Sequence, residues 1–327
     1  MDLSQVWEIT IPVVDSGGST VQKGVESITD SQGRVIWKKR SSGPTGKYLH
    51  FQNTSGVENI LTIYRQGNPG ATKVSYNYTG SDSGWTEVSL VGKQYVHIPV
   101  PASVEGQDGS GIIYLKNDEG VWSSGQDDYI SLYMSPGKSY NVGGDVMSLL
   151  GGNSVELTPY VFYRLLSDCG CRLEEAMDVY LPAETLVEGC YAQMFTNCHW
   201  LTKAPVLGAT VMAKGCYGGM FRNCESLVHR PDLPASVLAE GCYSHIFHGC
   251  KSIVDAPVLS CKELAKNCYE YMFDGCESLV YAPALPATVM KEGCYRRMFS
   301  GCVRMERAQE LPALRLVDDC YEGMFYG

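Results

Sequence analysis

From residue 181 to residue 327, apolar and polar positions recur on a fixed step of 26 residues. The phrase LPAETLVEGCYAQMFTNC opens at Leu181 and returns as LGATVMAKGCYGGMFRNC at Leu207 and LPASVLAEGCYSHIFHGC at Leu233. It returns again as LSCKELAKNCYEYMFDGC at Leu259 and LPATVMKEGCYRRMFSGC at Leu285, and a sixth copy opens at Leu311. Within CYxxMFxxC the apolar residues stand at i, i+1, i+4, i+5 and i+8. That spacing predicts one face of a short helix, or of a helical turn running into a 3₁₀ piece. Gly249, Gly275 and Gly301 then serve as helix stops.

Short extended runs follow, such as Ser226–Val228, Ser252–Val254 and Ser278–Val280, before the dipeptides Ala204-Pro205, Ala256-Pro257 and Ala282-Pro283 turn the chain. A single unit cannot bury its apolar stripe, whereas stacked units bury a continuous core. The expected architecture over 181–327 is therefore an α/β repeat solenoid. Val161–Cys169 repeats the same pattern 29 residues before the first full copy, with Val161 in place of the first cysteine. Atypical end repeats act as caps, so 139–180 is expected to be a linker and N-terminal cap.

The phrase LPAxxLxxGCYxxMFxxCxSLxxAP resembles the BspA-like (Treponema-type) leucine-rich repeat family of bacterial surface proteins. The resemblance covers residues 181–327 and the cap, and the lead-in from Lys138 to Leu150 is similar to the segment that enters such arrays. It implies a leucine-rich-repeat solenoid and adhesion, meaning binding of host protein, matrix or glycan, and it brings no catalytic residues.

The N-terminal half alternates in the strand manner instead. Candidate strands are Trp7–Ile11, Lys47–Gln52, Ile60–Tyr64, Lys73–Tyr78, Gln94–Ile98, Gly111–Leu115 and Tyr129–Tyr133. Turn chemistry such as Gly67-Asn68-Pro69-Gly70 separates them, and the spacing predicts an all-β sandwich over 43–138. Residues 1–42 form a separate attachment segment with a hairpin over Val25–Trp37 that turns at Asp30–Gly33. Its phrase ITDSQGRVIW is similar to the starts of gut-phage tail-associated proteins.

Charge narrows the partners. A formal net charge of −10 argues against nucleic acid and against a polyanionic membrane surface. No segment has the eighteen or so consecutive apolar residues of a membrane helix, so no membrane insertion is expected. The start at Met1-Asp2-Leu3 lacks a basic cluster and an apolar core, which points to a removed signal or to export by another route, such as release with a virion. A further cysteine is due at position 328, so the chain is expected to continue past Gly327 or to meet a partner there.

All fourteen cysteines lie after residue 168. Eleven fall on two columns: Cys190, Cys216, Cys242, Cys268, Cys294 and Cys320, then Cys198, Cys224, Cys250, Cys276 and Cys302. Cys169, Cys171 and Cys261 fall off them. Cys242-x-x-His245-x-x-His248-x-Cys250 has the composition of a zinc site, but the sister repeats keep the cysteines without the histidines. On a helix the two cysteines of a unit would stand roughly 12 Å apart, beyond a disulfide's reach. Two ladders of buried free thiols account better for the spacing, with no metal and no cofactor.

Catalytic motifs (GxSxG, a Walker loop, HExxH, GxGxxG after a strand) are missing from the sequence, and no enzyme is expected. What varies is surface. One column runs Lys203, His229, Asp255, Tyr281 and Arg307, and a second, helix-exposed pair runs Ala192-Gln193, Gly218-Gly219, Ser244-His245, Glu270-Tyr271 and Arg296-Arg297. The first is the expected ligand-binding column, facing a protein or glycan receptor, with other virion proteins as partners of the N-terminal segment. The expected function is an adhesion or receptor-binding component of a phage virion or tail. A bacterial cell-surface adhesin and a structural spacer without a specific ligand are the alternatives.

Overall fold

The computed structural model describes residues 46–104, 110–151, 156–167, 170, 172–308 and 310–327, together with the backbone of four short strands before residue 45. The chain divides into two compact units, 1–45 and 46–327. In the first, β1 (Thr10–Val14) pairs antiparallel with β2 (Thr20–Gly24), and β3 (Ser27–Thr29) with β4 (Val35–Lys38). The proposed turn at 30–33 and residues 7–9 of the first candidate strand lie outside the described residues.

In the second unit, alternation of side chains builds two sheets. One has the order β13 (Arg172–Tyr180), β12 (Ser139–Asp145), β5 (Leu49–Asn53), β10 (Ile112–Lys116), β7 (Lys73–Asn77), β8 (Thr86–Ser89). The other has the order β11 (Tyr129–Met134), β6 (Asn59–Gln66), β9 (Tyr95–Val100). Phe51, Ile113, Leu115 and Val142 from the first and Leu61, Ile63, Ile98, Ile130 and Leu132 from the second are buried in one continuous core with Trp122. Of the strands in the larger sheet, β8, β12 and β13 fall outside the candidate runs. β12 and β13 lie in the segment expected to be linker and cap, and they pair parallel where every other pairing in the sheet is antiparallel.

One local motif closes three of these strands. Asn53, Asn77 and Asn117 each open an Asn-x-x-Gly sequence, and their glycines, Gly56, Gly80 and Gly120, have φ of 71°, 65° and 72°. Each asparagine is buried, and its Nδ2 donates to the carbonyl four residues on, at Val57, Ser81 and Val121. Each Oδ1 accepts from the turn's own backbone, at Ser55, Gly80 and Glu119. The side chain thus stands in for a strand partner where the ladder ends.

The repeats correct the expectation of helices. The described structure is mostly β-sheet with almost no helix; its regular helical element is the short 3₁₀ turn Val146–Leu150. Each CYxxMFxxC phrase is instead a run of overlapping tight turns. Cys190, Ala192, Met194, Thr196 and Cys198 each donate N–H to the carbonyl three residues back, at 3.0 to 3.3 Å. The residues between them, Gly189, Tyr191, Gln193, Phe195 and Asn197, donate instead to the next coil, at Lys214, Cys216, Gly218, Met220 and Arg222, at 2.8 to 3.0 Å. Every second N–H is therefore spent on the neighbouring coil, which an α-helix could not allow.

This backbone needs a left-handed residue at every fourth position. Gly189, Gln193 and Asn197 have φ of 59°, 55° and 63°, and the pattern repeats at Gly241, His245 and Gly249 with 60°, 57° and 72°. The glycines taken as helix stops are thus left-handed turn positions inside a continuing structure. Residues 160–166 form a preceding coil of the same kind: Tyr160, Phe162, Arg164 and Leu166 donate to Glu188, Cys190, Ala192 and Met194.

Because coils stack in register, like side chains meet. Phe162, Tyr191, Tyr217, Tyr243, Tyr269, Tyr295 and Tyr321 form one ring column with centroids 5.7 to 6.2 Å apart. Phe195, Phe221, Phe247, Phe273, Phe299 and Phe325 form a second at 5.5 to 6.0 Å. Such pairs contribute about 0.5–1.5 kcal/mol each beyond area burial.

The twelve described cysteines are free and buried. In the second thiol column Cys224, Cys250, Cys276 and Cys302 donate Sγ–H to the carbonyls of Phe195, Phe221, Phe247 and Phe273 one coil back, at 3.0 to 3.1 Å. Cys261, off the columns, donates in the same way to Ala235. Cys169 and Cys171 lie outside the described residues.

Two predictions test this packing. A Cβ at Gly215 meets nothing within 4 Å, whereas one at Gly189 would fall 2.2 Å from the Tyr160 ring. Gly215→Ala should therefore cost about 1–2 kcal/mol, the left-handed penalty alone. Gly215→Asn should cost less, since Asn267 holds this column at φ 52°, and Gly189→Ala should cost more. Denaturant midpoints would expose the error if all three matched. Burial also pushes the thiols up, Cys216 to about 11 and Cys268 and Cys302 to about 12. With almost no thiolate near pH 8, these three should resist iodoacetamide in the folded protein and react on unfolding, as peptide mass mapping would show.

Candidate functional site

The expected ligand column lies on a ladder of parallel bridges. Lys203 bridges to His229, Asp255 to Tyr281, and Tyr281 to Arg307. Glu175 of β13 bridges to Lys203, so the larger sheet runs on into the repeats without a break in hydrogen bonding. Ala176 N donates to Lys203 O at 3.0 Å and Thr202 N to Glu174 O at 2.9 Å across that junction. Bridged neighbours in such a ladder stand about 4.8 Å apart, which fixes the spacing of whatever the column presents.

The five positions are not equivalent. Lys203 is half-buried, and its Nζ donates to Glu175 Oε1 at 2.6 Å. Asp255 is exposed but engaged: Arg230 donates from Nη2 to its Oδ2 at 3.1 Å and from Nε to its carbonyl at 2.8 Å. Arg230 is itself mostly buried and also holds Asp232 at 3.0 Å. His229 and Arg307 are exposed, and Tyr281 is 60% exposed. Arg307 makes no ion pair among the described residues. Exposed Val228 and Val254 lie beside His229 and Asp255. Two positions of the column, Lys203 and Asp255, are therefore tied up within the chain, while His229, Tyr281 and Arg307 face outward.

No family model matches this chain, and no curated protein or solved structure matches it either. The assignment of a role therefore rests on the chemistry of its surfaces.

The second set of variable positions sits on the turns, not on a helix, and most of it is half-buried. His245, Tyr271 and Arg297, three of its left-handed residues, stack coil on coil. The His245 and Tyr271 rings lie 4.6 Å apart at 12°, and the Arg297 guanidinium lies 5.8 Å from the centre of the Tyr271 ring. Ser244 Oγ and His245 Nδ1 are 2.7 Å apart, and His248 Nδ1 lies 3.0 Å from Asp274 Oδ2. Arg296 reaches Glu270 at 3.1 Å, Asp319 at 2.5 Å and Glu322 at 3.2 Å. These groups cross-link successive coils to one another.

The histidines with metal-ligand spacing do not converge with the cysteines. Cys242 and Cys250 are fully buried in the core while His245 and His248 lie half-buried on the turns, and among the described residues no group of three or more such side chains is placed to hold a metal. No described helix is long and apolar enough to cross a membrane.

A third feature escaped the sequence. The outer face of the three-stranded sheet carries Tyr64 on β6, Tyr95 on β9, and Tyr129 and Tyr133 on β11, around a cleft of about 290 Å³. The coil at 160–166 walls it, because Leu132 N donates to Leu165 O at 2.7 Å and Ser131 Oγ to Arg164 O at 2.6 Å. Each tyrosine was visible in the alternation of its strand. Their convergence depends on the strand order β11-β6-β9 and on the docking of a coil more than thirty residues away, which no local pattern encodes.

Burial, aided by His248 and Arg222, lowers His245 from the ordinary 6.5 to about 4. The folded state thus favours the neutral ring. Its contribution to stability is complete above pH 6.5 and is lost as pH falls from there toward 4. Stability should drop on going from about pH 7 to about pH 5, and His245→Gln should flatten part of that drop, since Gln193 occupies the same column. Identical pH profiles for the two proteins, followed by chemical denaturation, would refute this role for His245.

Proposed function

We propose that this chain is a non-enzymatic adhesion or receptor-binding protein. In this reading the stacked coils form a leucine-rich-repeat solenoid of the BspA-like type behind an N-terminal β-sandwich. The observation that carries it is the contrast between the two variable surfaces. On the turns, Arg296, Glu270, His248 and Asp274 satisfy one another, whereas Tyr281 and Arg307 stand side by side on the bridged ladder and face outward.

Tyrosine and arginine are, with tryptophan, the residues enriched among those that dominate binding energy. Tyrosine presents a rigid amphipathic ring, and arginine presents a planar fork of donors. The ladder holds both at a fixed separation, so little ordering remains to oppose capture of a partner. A protein or glycan receptor on a cell surface fits this pair. The setting we propose is a phage virion or tail structure, supported by the resemblance of ITDSQGRVIW in the first unit.

Capture of the protein on arrays of glycans and matrix proteins tests the reading. The double variant Tyr281→Ala, Arg307→Ala should lose at least about tenfold in capture, since such residues each contribute about 2 kcal/mol or more. Both side chains are exposed, so the melting transition should stay in place. Undiminished capture by the variant would remove the column from consideration, and a wild-type protein that captures nothing would favour a spacer. Detection of the chain in purified phage particles decides the setting.

A further inference from the structure

We propose that the tyrosine cleft on the outer face of the three-stranded sheet is a saccharide-binding site, separate from the ladder column. Across this face, Ser131 of β11 stands opposite Tyr64 of β6, and Tyr64 opposite Tyr95 of β9. The inner face of the same strands is apolar and buried, through Ile63, Val96, Ile130 and Leu132. Core packing therefore holds the rings from behind, and alternation obliges them to face out.

The rings are set at angles to one another, with Tyr64 and Tyr95 centroids 5.2 Å apart at 36° and Tyr64 and Tyr129 6.3 Å apart at 69°. Tilted rings form the sides of a trough rather than a closed stack. Tyr95 is 48% exposed, and its ring lies parallel to that of His97 at 6.2 Å, which widens the platform along β9.

The remaining lining comes from Ser131, Arg164 and Ser167. Both serines are buried, and both donate to the Arg164 carbonyl, at 2.6 and 3.0 Å. Arg164 Nε donates to Ser167 Oγ at 3.3 Å, and the guanidinium lies 5.5 Å from the centre of the Tyr129 ring. The arginine is thereby placed at one wall of the cleft by its own backbone and by an aromatic face.

Chemistry selects the ligand class. Among the described residues, the lining has four phenol hydroxyls, two serine hydroxyls and one guanidinium, with neither a carboxylate nor an aliphatic side chain. Tyr64 donates its hydroxyl to Gln66, and both serines donate theirs to the Arg164 carbonyl, so these oxygens meet a ligand as acceptors and favour one that brings hydroxyl donors. A pyranose has one face of C–H bonds to lie on a ring and a rim of hydroxyls to exchange hydrogen bonds with phenols. The cleft is near the lower end of the ~300–1,000 Å³ typical of small-molecule sites, which suits a mono- or disaccharide end rather than a long chain.

Saturation-transfer NMR on the full chain, with a panel of neutral, N-acetylated and acidic disaccharides at millimolar concentration, tests the assignment. At least one class should show transfer to sugar ring protons. The double variant Tyr64→Ala, Tyr95→Ala should reduce that signal at least about tenfold, and Tyr95→Ala alone provides the same readout if the double variant folds poorly. Tyr281→Ala with Arg307→Ala should leave the signal unchanged, so failure here and failure of the ladder column are told apart. A panel with no transfer to any member, or full transfer to a folded tyrosine variant, would overturn the proposal.

Discussion

Within each CYxxMFxxC phrase, alternate backbone N–H groups go to the coil's own turns and to the next coil. Buried peptide groups must find partners, and this division meets that demand without a helix and without long strands. It also removes most freedom from the arrangement. Alternate donors set the coil spacing, and the turns between them require a left-handed residue at every fourth position. Once those two conditions hold, every residue sits over the one 26 positions away. Columns of like side chains are then a consequence of the backbone and not a separate design.

That geometry explains why cysteine recurs in place of valine or serine. In the second column, the carbonyl above the thiol already accepts the i+3 amide, as Phe221 does from Cys224, and has one lone pair left in a sealed core. Cys250 supplies a weak donor at 3.0 Å and otherwise packs as a small apolar group. Valine would leave the lone pair unmet, and serine would bring a more strongly hydrated hydroxyl into the same space. Burial suppresses the thiolate, so the columns are inert to the chemistry that a cysteine-rich sequence first calls to mind.

Much of this was legible along the chain. The 26-residue register, the thiol columns and the position of Tyr281 beside Arg307 all follow from spacing, and the alternation over Lys47–Gln52 and Gln94–Ile98 lands on β5 and β9. The helix was not there, and the reason is instructive. Apolar residues at i, i+1, i+4, i+5 and i+8 fall on one side of a 3.6-residue helix and equally on one side of a chain of two-residue turns. Hydrophobicity alone cannot separate a period of 3.6 from a period of 4 over nine residues. The deciding signal was in the polar positions. Gly189, Gly215, Gly241, Asn267, Gly293 and Asp319 share one column, and Asn197, Asn223, Gly249, Gly275 and Gly301 share another. Glycine, asparagine and aspartate are the residues that enter left-handed backbone most readily. Eight residues apart, they mark two ends of one turn-built phrase. β12 and β13 were hidden for a different reason: their parallel pairing joins segments about thirty residues apart and leaves no hairpin signature.

The junction at Glu175 and Lys203 ties the two kinds of structure together. β13 pairs with β12 on one side and bridges to the first repeat on the other, so the bridges from Glu175 through Lys203 to His229 are anchored in a six-stranded sheet, and a second run of bridges links Asp255, Tyr281 and Arg307. A free column of isolated bridges would hold its residues through one hydrogen-bonded contact per coil. The turns add about five further backbone bonds per coil on the opposite side, as between Gly189 and Asn197 and their acceptors. A side chain on the ladder can therefore change identity at little cost to the fold while its Cα stays where the neighbouring coils put it. Lys203, His229, Asp255, Tyr281 and Arg307 differ in identity at equivalent positions of successive coils. Where such a side chain is exposed, as at His229, Tyr281 and Arg307, packing sets no preference for its identity, and the proposed recognition of a partner draws on that freedom.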